Sequence, residues 1–584
     1  MMLLILSDYI LLICWLSVSL KSNLPRLRIL SYLLVSPTTK LLKLAVFSGG
    51  IWLYWNSNNF SVQPIDKNCQ SITIKVTLPS GPIWMLTVLY ASPTNYVRSN
   101  LWNYLEHLVA VHQLPWIFIG DFNELYSSAD KYFGTMYGRI GGLKKWVDQN
   151  SLIDMGFIGS RFTWSNNRIK ERLDRAFCTC DWRSSFPEAF IRHLAKMKSD
   201  HCPLLLQLHS NNRVNRAATP FRFQAMWMSH NEFAPYVGNT WKSSSGTFVE
   251  KITALSTALQ EWNNNTFGNI FKRKKHLLAR LGGIQKATDR YKNSFLLKLE
   301  TKLITEYESL RDQENLFWKQ KSRDKRLQGG DRNTKFFHLT TLVRRRRNKI
   351  EGLFDKDNQW QTESNTLKSI AVDFFQNLFS ESTHLDSRFM IPWLFPSLEI
   401  DDLHRLCCPV DMYEVKNAMF SIGGLKAPGY DGFPAGFYQK FWSLYAADIF
   451  SITQTAFTSC EIPPGLNHTI ISLIPKVTGP QEMAQFRPIS LCTTIYKVIS
   501  KIIVARIRPF MQKLISPNQV SYVPERQISD NIMIAQEILF KFKKSTGHKG
   551  FFAWKVDLSK AYDRLSWNFI EKVLYETLLP PASC

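Results

Sequence analysis

The stretch 46–208 alternates between short apolar runs and polar loops. Alternating apolar and polar positions, or a continuous β-branched run, predict three strands: Ile72–Leu78, Ile83–Tyr90 and Trp116–Ile119. Gly120 is expected to stop the third strand. Leucines at helical spacing predict a helix over 100–112. Strands mixed with helices indicate a layered α/β sandwich.

Residues 225–345 have the three- and four-residue spacing of amphipathic helices. The spacing is clearest in Leu277, Leu281 and Ile284, and then in Leu296, Leu299, Leu303, Tyr307 and Leu310. From 350 to 584 the pattern is globular again and predicts further helices and one strand. The helices are Leu367–Ser380, Tyr413–Ser421, Pro434–Ala456, Ile495–Leu514 and Asp530–Lys544, and the strand is Phe551–Asp557, which leads into another helix.

The first 20 residues form an apolar stretch that Ser7 and Asp8 interrupt. The stretch lacks the basic start and the small-residue cleavage site of a signal peptide. Its length allows a single membrane span, but an Asp near the centre of a span costs about 2.5–3.5 kcal/mol. We therefore expect a buried strand or a misassembled start, with a membrane anchor as the alternative.

Lysine and arginine number 72 against 47 aspartates and glutamates, a formal net charge of +25 over 584 residues. Such an excess predicts affinity for polyanions, above all nucleic acid. The excess is concentrated, because 271–350 holds 23 Lys/Arg and 8 Asp/Glu, a net of +15, and ends in Arg344, Arg345, Arg346 and Arg347. We predict a nucleic-acid track along these arginines, with a solvated helix face as the alternative.

The 10 cysteines lack the spacing of a zinc finger or a redox motif. The close pairs, Cys178/Cys180 and Cys407/Cys408, do not have CxxC spacing. We expect reduced thiols, and hence a nuclear or cytoplasmic protein.

Four short motifs carry candidate chemistry in the first half. Gly120-Asp121-Phe122-Asn123 follows a predicted buried strand and alone indicates only a turn. The others are Phe162-Thr163-Trp164-Ser165-Asn166, Arg172-Leu173-Asp174-Arg175 and Ser199-Asp200-His201. In this order the motifs resemble the endonuclease/exonuclease/phosphatase superfamily, and more closely the apurinic-like endonuclease domain of LINE-type non-LTR retrotransposons. The resemblance covers about 47–208.

The resemblance implies phosphodiester cleavage that depends on Mg²⁺ or Mn²⁺, since hard oxygen ligands suit these ions. By similarity, Asp121 aligns the attacking water, with Asn123 beside it. His201 contacts the scissile phosphate and is held by the Asp174 carboxylate. Asp200 lies on the metal side of the site.

Two further residues match phosphate contacts of the family. Tyr90, within Val88-Leu89-Tyr90-Ala91-Ser92-Pro93, matches a phosphate-contacting tyrosine, with core packing as the alternative. Thr163 is a candidate phosphate donor.

The sequence departs from the family at its start. The family opens with a strand that bears an Asn and a second strand that ends in a metal-binding Glu, and the first 45 residues contain no such motif. If Ile10–Cys14 is the second strand, Trp15 falls about where the Glu belongs, and a tryptophan cannot bind Mg²⁺. We expect a domain that keeps half of its metal site and cuts DNA poorly or not at all.

A second group of motifs lies in the second half. They are Gly329-Gly330-Asp331-Arg332-Asn333-Thr334-Lys335-Phe336-Phe337-His338, Lys426-Ala427-Pro428-Gly429-Tyr430-Asp431-Gly432-Phe433, Leu473-Ile474-Pro475-Lys476, Phe486-Arg487-Pro488-Ile489-Ser490, Asn518-Gln519 with 526–532, and Lys555-Val556-Asp557-Leu558-Ser559-Lys560-Ala561-Tyr562-Asp563. The first resembles the connector that precedes plant non-LTR reverse transcriptases. The rest, over about 350–584, resemble the reverse transcriptase domain of the same retrotransposons, from its fingers to its first palm motif.

This resemblance implies nucleotidyl transfer with two Mg²⁺ ions held by palm carboxylates. By similarity, Asp557 is a catalytic metal ligand and Tyr562 is the steric gate against ribonucleotides. Lys476 and Arg487 match the finger cations on the incoming triphosphate. Asp563 is interpreted as structural.

Two departures qualify the second resemblance. Pro524-Glu525-Arg526 stands where the family usually has Pro-Gly-Arg. The paired aspartates of the second palm motif would follow about 60–90 residues after Asp557 in the family, and Cys584 comes 27 residues after it. We expect that one carboxylate does not assemble the two-metal site.

The expected organisation has four parts: an apolar start (1–45), a four-layer α/β endonuclease-like sandwich (46–210), a helical basic linker (211–349), and the fingers and first part of the palm of a right-hand polymerase (350–584). The expected function is a retrotransposon-derived endonuclease fused to an RNA-directed DNA polymerase, impaired or inactive as written. DNA and RNA are the expected partners, without a small-molecule cofactor. The alternatives are a non-catalytic nucleic-acid-binding remnant and, below it, a membrane-anchored protein.

Overall fold

The computed structural model describes 3–6, 11–17, 39–46, 49–56, 61–78, 81–134, 140–166, 168–196, 199–208, 220–287, 293–322, 334–380, 396, 398–547, 550–558 and 560–577. Backbone contacts divide the chain into two compact units. The first is Met1–Ala218 with Asn333–Leu367 and Leu473–Pro488. The second is Thr219–Arg332 with Lys368–Ser472 and Ile489–Cys584.

The strands are β1 (Leu3–Leu6), β2 (Leu11–Ser17), β3 (Thr39–Val46), β4 (Gly49–Asn56), β5 (Ser61–Asn68), β6 (Ser71–Thr77), β7 (Ile83–Tyr90), β8 (Trp116–Asp121), β9 (Lys131–Tyr132), β10 (Ile153–Asp154), β11 (Ile158–Gly159), β12 (Trp164–Ser165), β13 (Lys170–Glu171), β14 (Asp174–Cys178), β15 (Phe190–His193), β16 (Leu204–Gln207), β17 (Leu353–Phe354), β18 (Trp360–Gln361), β19 (Ile470–Pro475) and β20 (Phe486–Leu491).

The α-helices are α1 (Asn95–Val111), α2 (Gly142–Gln149), α3 (Cys180–Ser185), α4 (Phe233–Ser243), α5 (Phe248–Trp262), α6 (Ile270–Lys286), α7 (Ser294–Ser322), α8 (Thr334–Asn348), α9 (Ser364–Phe379), α10 (Ile400–Cys407), α11 (Met412–Phe420), α12 (Ala435–Lys440), α13 (Trp442–Ser459), α14 (Thr494–Ile507), α15 (Met511–Leu514), α16 (Ile528–Lys544) and α17 (Trp567–Glu576).

The first unit contains a six-stranded sheet in the order β10-β14-β8-β7-β6-β5. Strands β7 and β8 lie at its centre, covered on both faces, which is why their sequences are continuous apolar runs. They pair in parallel, and their register sets Tyr90 opposite Asp121. Strand β14 pairs antiparallel with β8 and sets Asp174 opposite Asp121. The sheet register therefore brings two predicted site carboxylates to the same edge.

A seven-stranded sheet in the order β11-β15-β16-β1-β2-β4-β3 lies against the first. The apolar start of the chain supplies β1 and β2, of which β1 runs parallel to β16 and β2 pairs with β4 over seven residues. The expectation of a strand is confirmed over the part of this stretch that the structure describes. None of the described helices has the length and apolarity that a membrane crossing requires.

Apolar side chains from both sheets form one core between them, including Leu53, Ile74, Leu86, Ile119 and Leu206. A second core lies on the outer face of the six-stranded sheet, where α1 and α2 pack their leucines and tryptophans against β7 and β8. Two sheets face to face with helices outside are the predicted α/β sandwich.

Helices dominate the second unit, which buries one large apolar core. The core joins side chains of the predicted linker, such as Trp227 and Leu259, with side chains of the polymerase-like region, such as Phe437, Tyr445 and Val498. The predicted parts were continuous stretches, whereas the contact units are discontinuous. The reason is that the amphipathic faces of α4–α7 are buried against helices from beyond residue 400.

The predicted helices of the second half are found within a few residues of their expected bounds. Two of them are interrupted. The segment predicted as Pro434–Ala456 is α12 followed by α13, with a non-helical backbone at Phe441 (φ −107°, ψ 33°). The segment predicted as Ile495–Leu514 is α14, a short 3₁₀ turn and α15.

Two predictions about strands are wrong. Gly120 does not stop β8, which runs on to Asp121, because glycine lets the chain pass close to β7; a Cβ at Gly120 would lie 2.0 Å from the Leu89 carbonyl oxygen. Phe551–Asp557 is not a strand, and its side chains are exposed, with Trp554 at 88%. Within the described residues no ladder pairs with this segment, and an isolated strand is not stable in water.

Candidate active site

The first carboxylate of the site is Asp121, at the end of β8. Its side chain is buried, and Oδ1 accepts a hydrogen bond of 2.9 Å from the Asn123 backbone N–H. Asn123 has a left-handed backbone (φ 48°), a conformation that asparagine tolerates better than most residues. This turn swings the Asn123 amide back, so that Nδ2 donates to Asp121 Oδ2 at 2.8 Å and to the Ala91 carbonyl at 2.9 Å. The predicted pair Asp121 and Asn123 is thus joined, and the amide fixes the carboxylate.

The second carboxylate is Asp174, the first residue of β14. It is fully buried, and its backbone N–H donates to the Thr163 hydroxyl at 3.0 Å. The Leu173 N–H donates to the same hydroxyl at 3.1 Å. Among the described residues, Asp174 Oδ1 has no hydrogen-bond partner although it is buried. A buried carboxylate oxygen that lacks a partner is suited to a cation or a water molecule.

His201 lies beside Asp174, as the resemblance predicted. Its Nδ1 is 2.8 Å from Asp174 Oδ2, and a bridge to Trp164 holds its backbone. Burial alone would lower the pKa of His201, but the charge of Asp174 and the hydrogen bond to it outweigh burial and raise the pKa to about 9. The imidazole is therefore a cation at neutral pH.

Burial and the neighbouring charge of Asp174 raise the pKa of Asp121 to about 7, against the opposing influence of His201 and the Asn123 N–H. A carboxyl group with a pKa near 7 can take up or release a proton at physiological pH. Perturbed groups of this kind collect at functional sites.

Ligand atoms of Asp121, Asp174 and His201 all lie within 4.8 Å of one another. Because His201 is held as a cation, the carboxylates of Asp121 and Asp174 are the groups that fit a metal ion. Two carboxylates, completed by water and substrate oxygens, suit Mg²⁺, which commonly binds proteins through one or two carboxylates. The donor set at this edge therefore fits a hard divalent cation.

Asp200 was predicted as a metal ligand and is placed differently. Its side chain is exposed, and Oδ2 accepts a hydrogen bond of 2.9 Å from Trp164 Nε1. Partial burial would raise the pKa of Asp200, but the Trp164 bond and the charge of His201 lower it. Among the described residues, the group that could hold a metal does not include Asp200. Its role as a ligand stays a prediction.

The two predicted phosphate contacts differ. Tyr90 is half-buried and lies opposite Asp121 in the sheet, where it borders the site. Thr163 is fully buried, and its hydroxyl accepts the two backbone bonds described above. This burial argues against a direct phosphate contact. The two hydrogen bonds indicate instead that Thr163 positions the start of β14.

Two acids, of which Asp130 is buried and Asp154 half-buried, and two arginines near the site were not assigned from the sequence. Arg175 pairs with Asp130 and, at 2.8 Å, with Asp154, and Arg172 is 3.2 Å from Asp154. Both arginines are almost fully buried. They flank Asp174, so their ion pairs fix the backbone that carries it. The Arg-Leu-Asp-Arg motif was the available signal, but its partners are distant in sequence.

Glu124 was also left unassigned, although it follows the first motif directly. Its Oε2 accepts from Arg98 Nε at 3.1 Å and from Trp102 Nε1 at 3.3 Å, and its Oε1 accepts from the Leu143 N–H at 3.0 Å. Glu124 thereby ties α1 and the start of α2 to the loop after β8. Its role is structural.

The four predicted nucleic-acid-binding arginines lie at the end of α8. Arg345 is 4.0 Å from Glu188, and Arg346 pairs with Glu351 and lies 4.2 Å from the Phe190 ring centroid. Arg347 is exposed, while Arg344 is half-buried. Arg345 and Arg346 thus have structural contacts within the first unit.

The polymerase-like candidates are exposed. Lys476 and Arg487 lie in the first unit, at the end of β19 and the start of β20, and Lys476 Nζ donates to the Ala484 carbonyl at 3.3 Å. Asp557 and Tyr562 lie in the second unit. Asp557 belongs to the exposed irregular segment 551–558, and Tyr562 is in edge contact with Tyr522, with ring centroids 5.8 Å apart.

Comparison with known proteins finds two family models in the chain. Residues 30–201 match the Endonuclease/Exonuclease/phosphatase family, and 474–582 match Reverse transcriptase (RNA-dependent DNA polymerase). A curated relative, a transposon TX1 uncharacterized 149 kDa protein of Xenopus laevis, is 26% identical over 518 residues. The alignment covers 84% of this chain and 39% of that relative, so the chain spans about two fifths of its length.

Solved structures similar to this chain cover about a third of it. The endonuclease domain of TRAS1, a telomere-specific non-LTR retrotransposon, is 12% identical with a TM-score of 0.27, over 33% of this chain and 94% of that one. The 3′ phosphatase NExo from Neisseria is 14% identical with a TM-score of 0.25, over 35% and 98%. The two family matches and the transposon relative confirm the predicted resemblance to a transposon protein with an endonuclease-like domain before a reverse transcriptase domain.

Proposed function

We propose that this chain, with its endonuclease/exonuclease/phosphatase domain before a reverse transcriptase domain, derives from a protein that nicks target DNA and copies RNA from the freed end. The observation that carries the nuclease half is the meeting of Asp121, Asp174 and His201 at one sheet edge. The proposed metal is Mg²⁺ or Mn²⁺, held by Asp121 and Asp174, with Asp200 as a further candidate. When bound, the ion would supply positive charge for the phosphate oxygens.

Asp121, His201 and Tyr90 are proposed to have different roles in phosphodiester cleavage. Asp121 is suited to align an attacking water, because the Asn123 amide fixes the orientation of its carboxylate. His201 is suited to donate a hydrogen bond to a phosphate oxygen, because Asp174 keeps its imidazole charged. Tyr90 borders the same edge and is the proposed further phosphate contact.

We propose that cleavage is slow. By resemblance, the second strand of the family carries a metal-binding Glu, and β2 of this chain has the sequence Leu-Leu-Ile-Cys-Trp-Leu-Ser, without a carboxylate. Fewer carboxylates bind a hard cation more weakly.

The polymerase half of the proposal depends on the motif order and the family match over 474–582. Asp557 is the proposed metal ligand, Tyr562 the proposed gate, and Lys476 and Arg487 the proposed triphosphate cations. Templated primer extension on an RNA template tests this half, and the expectation of an impaired polymerase predicts slow extension or none. Extension that Asp557→Asn abolishes would support it, and extension that survives this change would contradict the assignment of Asp557.

A plasmid-nicking assay tests the nuclease half. Supercoiled DNA is incubated with the full chain and Mg²⁺, and nicked circles are measured over time. We expect slow nicking that Asp121→Asn and His201→Ala reduce at least tenfold, while Glu106→Gln, which removes an exposed carboxylate on α1, has no effect. Nicking equal in all four proteins would contradict the assignment.

A variant that adds a carboxylate sharpens the test. Trp15→Glu places one on β2, near the position expected for the family Glu. If the lost ligand limits the rate, Trp15→Glu raises the nicking rate, whereas Trp15→Gln does not. No gain in Trp15→Glu, with an unchanged unfolding midpoint, would contradict this explanation of slow cleavage.

A second candidate function is nucleic-acid binding without catalysis. It is favoured by the net charge of +25 and by the absence of a carboxylate on β2. Tight, salt-dependent DNA binding with no metal-dependent nicking would favour it. The proposal places either function in the nucleus or cytoplasm, because the cysteines lack the spacing of a zinc finger or a redox motif.

A further inference from the structure

The first unit contains a cavity of about 620 Å³ whose lining does not include Asp121, Asp174 or His201. Its walls come from three parts of the sequence: the loops of the endonuclease-like domain around 153–158, the end of α8, and the turn after β19. All three belong to the same compact unit. Gly479 closes one side against Phe157, since a Cβ at Gly479 would lie 2.5 Å from the Phe157 ring.

The cavity is strongly basic. Eight lysines and arginines line it, against three acids. The acids are already used: Asp130 and Asp154 pair with Arg172 and Arg175, and Glu351 pairs with Arg346 and Lys349. The lining thus carries positive charge beyond what its own carboxylates neutralise.

The excess lies on four cations: Arg161, Arg183, Arg347 and Lys476. Among the ion pairs of the described residues, none involves these four side chains. Arg183 is held by the carbonyls of Ala189 and Pro187 at 2.8 and 3.1 Å, which fixes its position without neutralising its charge. Arg347 and Lys476 are exposed at the rim, from two different parts of the chain.

Two aromatic rings that line the cavity are already covered. Phe157 stacks on His193, with ring centroids 4.7 Å apart, and Arg172 lies 4.4 Å from the same centroid. Phe190 has Arg346 at 4.2 Å. These rings are not free to stack on bases. The groups that remain available to a ligand are the cations, of which Arg183 is held in place by backbone carbonyls. That chemistry suits phosphate groups, which bind through charge and not through base identity.

We propose that this cavity is a second anion site that binds phosphate groups of a nucleic-acid backbone. It deepens the proposed function and rests on it, because it assigns part of the nucleic-acid contact to Arg347 and Lys476, neither of which belongs to the proposed cleavage site. For Lys476, the backbone phosphate is the alternative to the triphosphate contact that the resemblance implies. The site uses cations from the basic linker and from the polymerase-like hairpin on the surface of the endonuclease-like domain. In this proposal, the positive charge concentrated at the end of α8 binds phosphate groups at this cavity.

The test is duplex DNA binding by the full chain, measured by fluorescence anisotropy in EDTA so that the metal site does not contribute. The variant is Arg347→Gln with Lys476→Gln. The matched control is Lys144→Gln with Lys145→Gln, which removes two exposed cations from α2 of the same unit. Unfolding midpoints of all proteins are compared first.

We expect the cavity variant to lose at least about tenfold in affinity and its slope of log affinity against log salt to fall by about 2, one for each cation. The control is expected to lose less than about threefold. An equal loss in the control, or no loss in the cavity variant, would overturn the proposal.

Two additional arms separate the alternatives. Inorganic phosphate, added to the wild type and to the cavity variant, tests whether the site binds a small anion. If the wild type binds phosphate and the cavity variant does not, while both proteins bind duplex DNA equally, the nucleic-acid assignment is wrong. Asp121→Asn is measured in the same binding assay to separate this proposal from the proposed cleavage. The variant is expected to bind duplex DNA in EDTA as tightly as the wild type, whether or not the wild type nicks DNA.

Discussion

The two candidate catalytic centres of this chain differ in how far the fold builds them. Asp121 and Asp174 are buried, face each other in the sheet register and are held by Asn123, Thr163 and His201. Asp557 is exposed on a segment that, within the described residues, belongs to no sheet. A carboxylate becomes a site only when neighbouring elements fix its direction and remove it from water. The first centre meets that condition within its own sheet, and the second does not.

The largest expected effect concerns the buried ion pairs beside Asp174. Arg175→Met removes the nearest cation from buried Asp130, which keeps only the Ser127 donors and Arg172 at 4.0 Å, and breaking such a pair costs about 3–5 kcal/mol. The free energy of unfolding of the first unit, measured with denaturant, is expected to fall by this amount. Arg168→Met, at an exposed arginine in the same domain, is the control. Equal stability of Arg175→Met and Arg168→Met would contradict the claim that buried ion pairs hold the first centre in place.

The next effect is a pH dependence. The folded-state pKa of His201 is about 9, above its unfolded value of 6.5, so the stabilisation from its ion pair with Asp174 is fully present below pH 6.5 and is lost as the pH rises through 9. We expect the unfolding free energy in EDTA to fall over this window in the wild type and to stay flatter in His201→Gln. The effect is smaller than that of Arg175 because 19% of the imidazole surface is exposed. Identical profiles would contradict the pairing.

Thr163 tests the support beneath the site. Thr163→Val keeps the shape but leaves two buried N–H groups, those of Leu173 and Asp174, without an acceptor, at a cost of about 1–3 kcal/mol. Thr163→Ser keeps the hydroxyl and is the control. If Thr163→Val is as stable as Thr163→Ser but weakens DNA binding, the residue contacts phosphate, as the sequence first predicted.

Glu525 offers a smaller effect in the polymerase-like region. Its backbone is left-handed (φ 67°), which costs a residue with a side chain about 1–2 kcal/mol and explains why the family has glycine there. We expect Glu525→Gly to raise stability by about 1 kcal/mol, less the loss of the bond from Gln512 at 2.9 Å. Glu525→Asn should lie between the two, and a destabilised Glu525→Gly would contradict the assigned conformation.

The smallest effect is expected at Asp557. Because the side chain is exposed and outside any described sheet, Asp557→Asn should change the unfolding free energy by less than about 0.5 kcal/mol. Thermal unfolding of the two proteins measures the difference. A change comparable to that at Arg175 would mean that the second centre is as firmly built as the first.

Local patterns predicted the central strands and the amphipathic helices, because continuous apolar runs and helical spacing report burial directly. The resemblance to the endonuclease family predicted that Asp121, Asn123, Asp174 and His201 lie in one site. The burial of Thr163 and the partners of Arg175 could not be predicted, since Asp130 and Asp154 are joined to it only by the fold. The strand predicted over 551–557 failed for the related reason that a strand depends on a partner that its own sequence does not specify.

The most direct test of the contrast between the two centres is Mn²⁺ binding to the full chain, followed by electron paramagnetic resonance. We predict a bound ion that Asp121→Asn with Asp174→Asn removes, while Asp557→Asn and the surface control Glu106→Gln retain it. Binding that survives the double change, or that Asp557→Asn abolishes, would contradict the account.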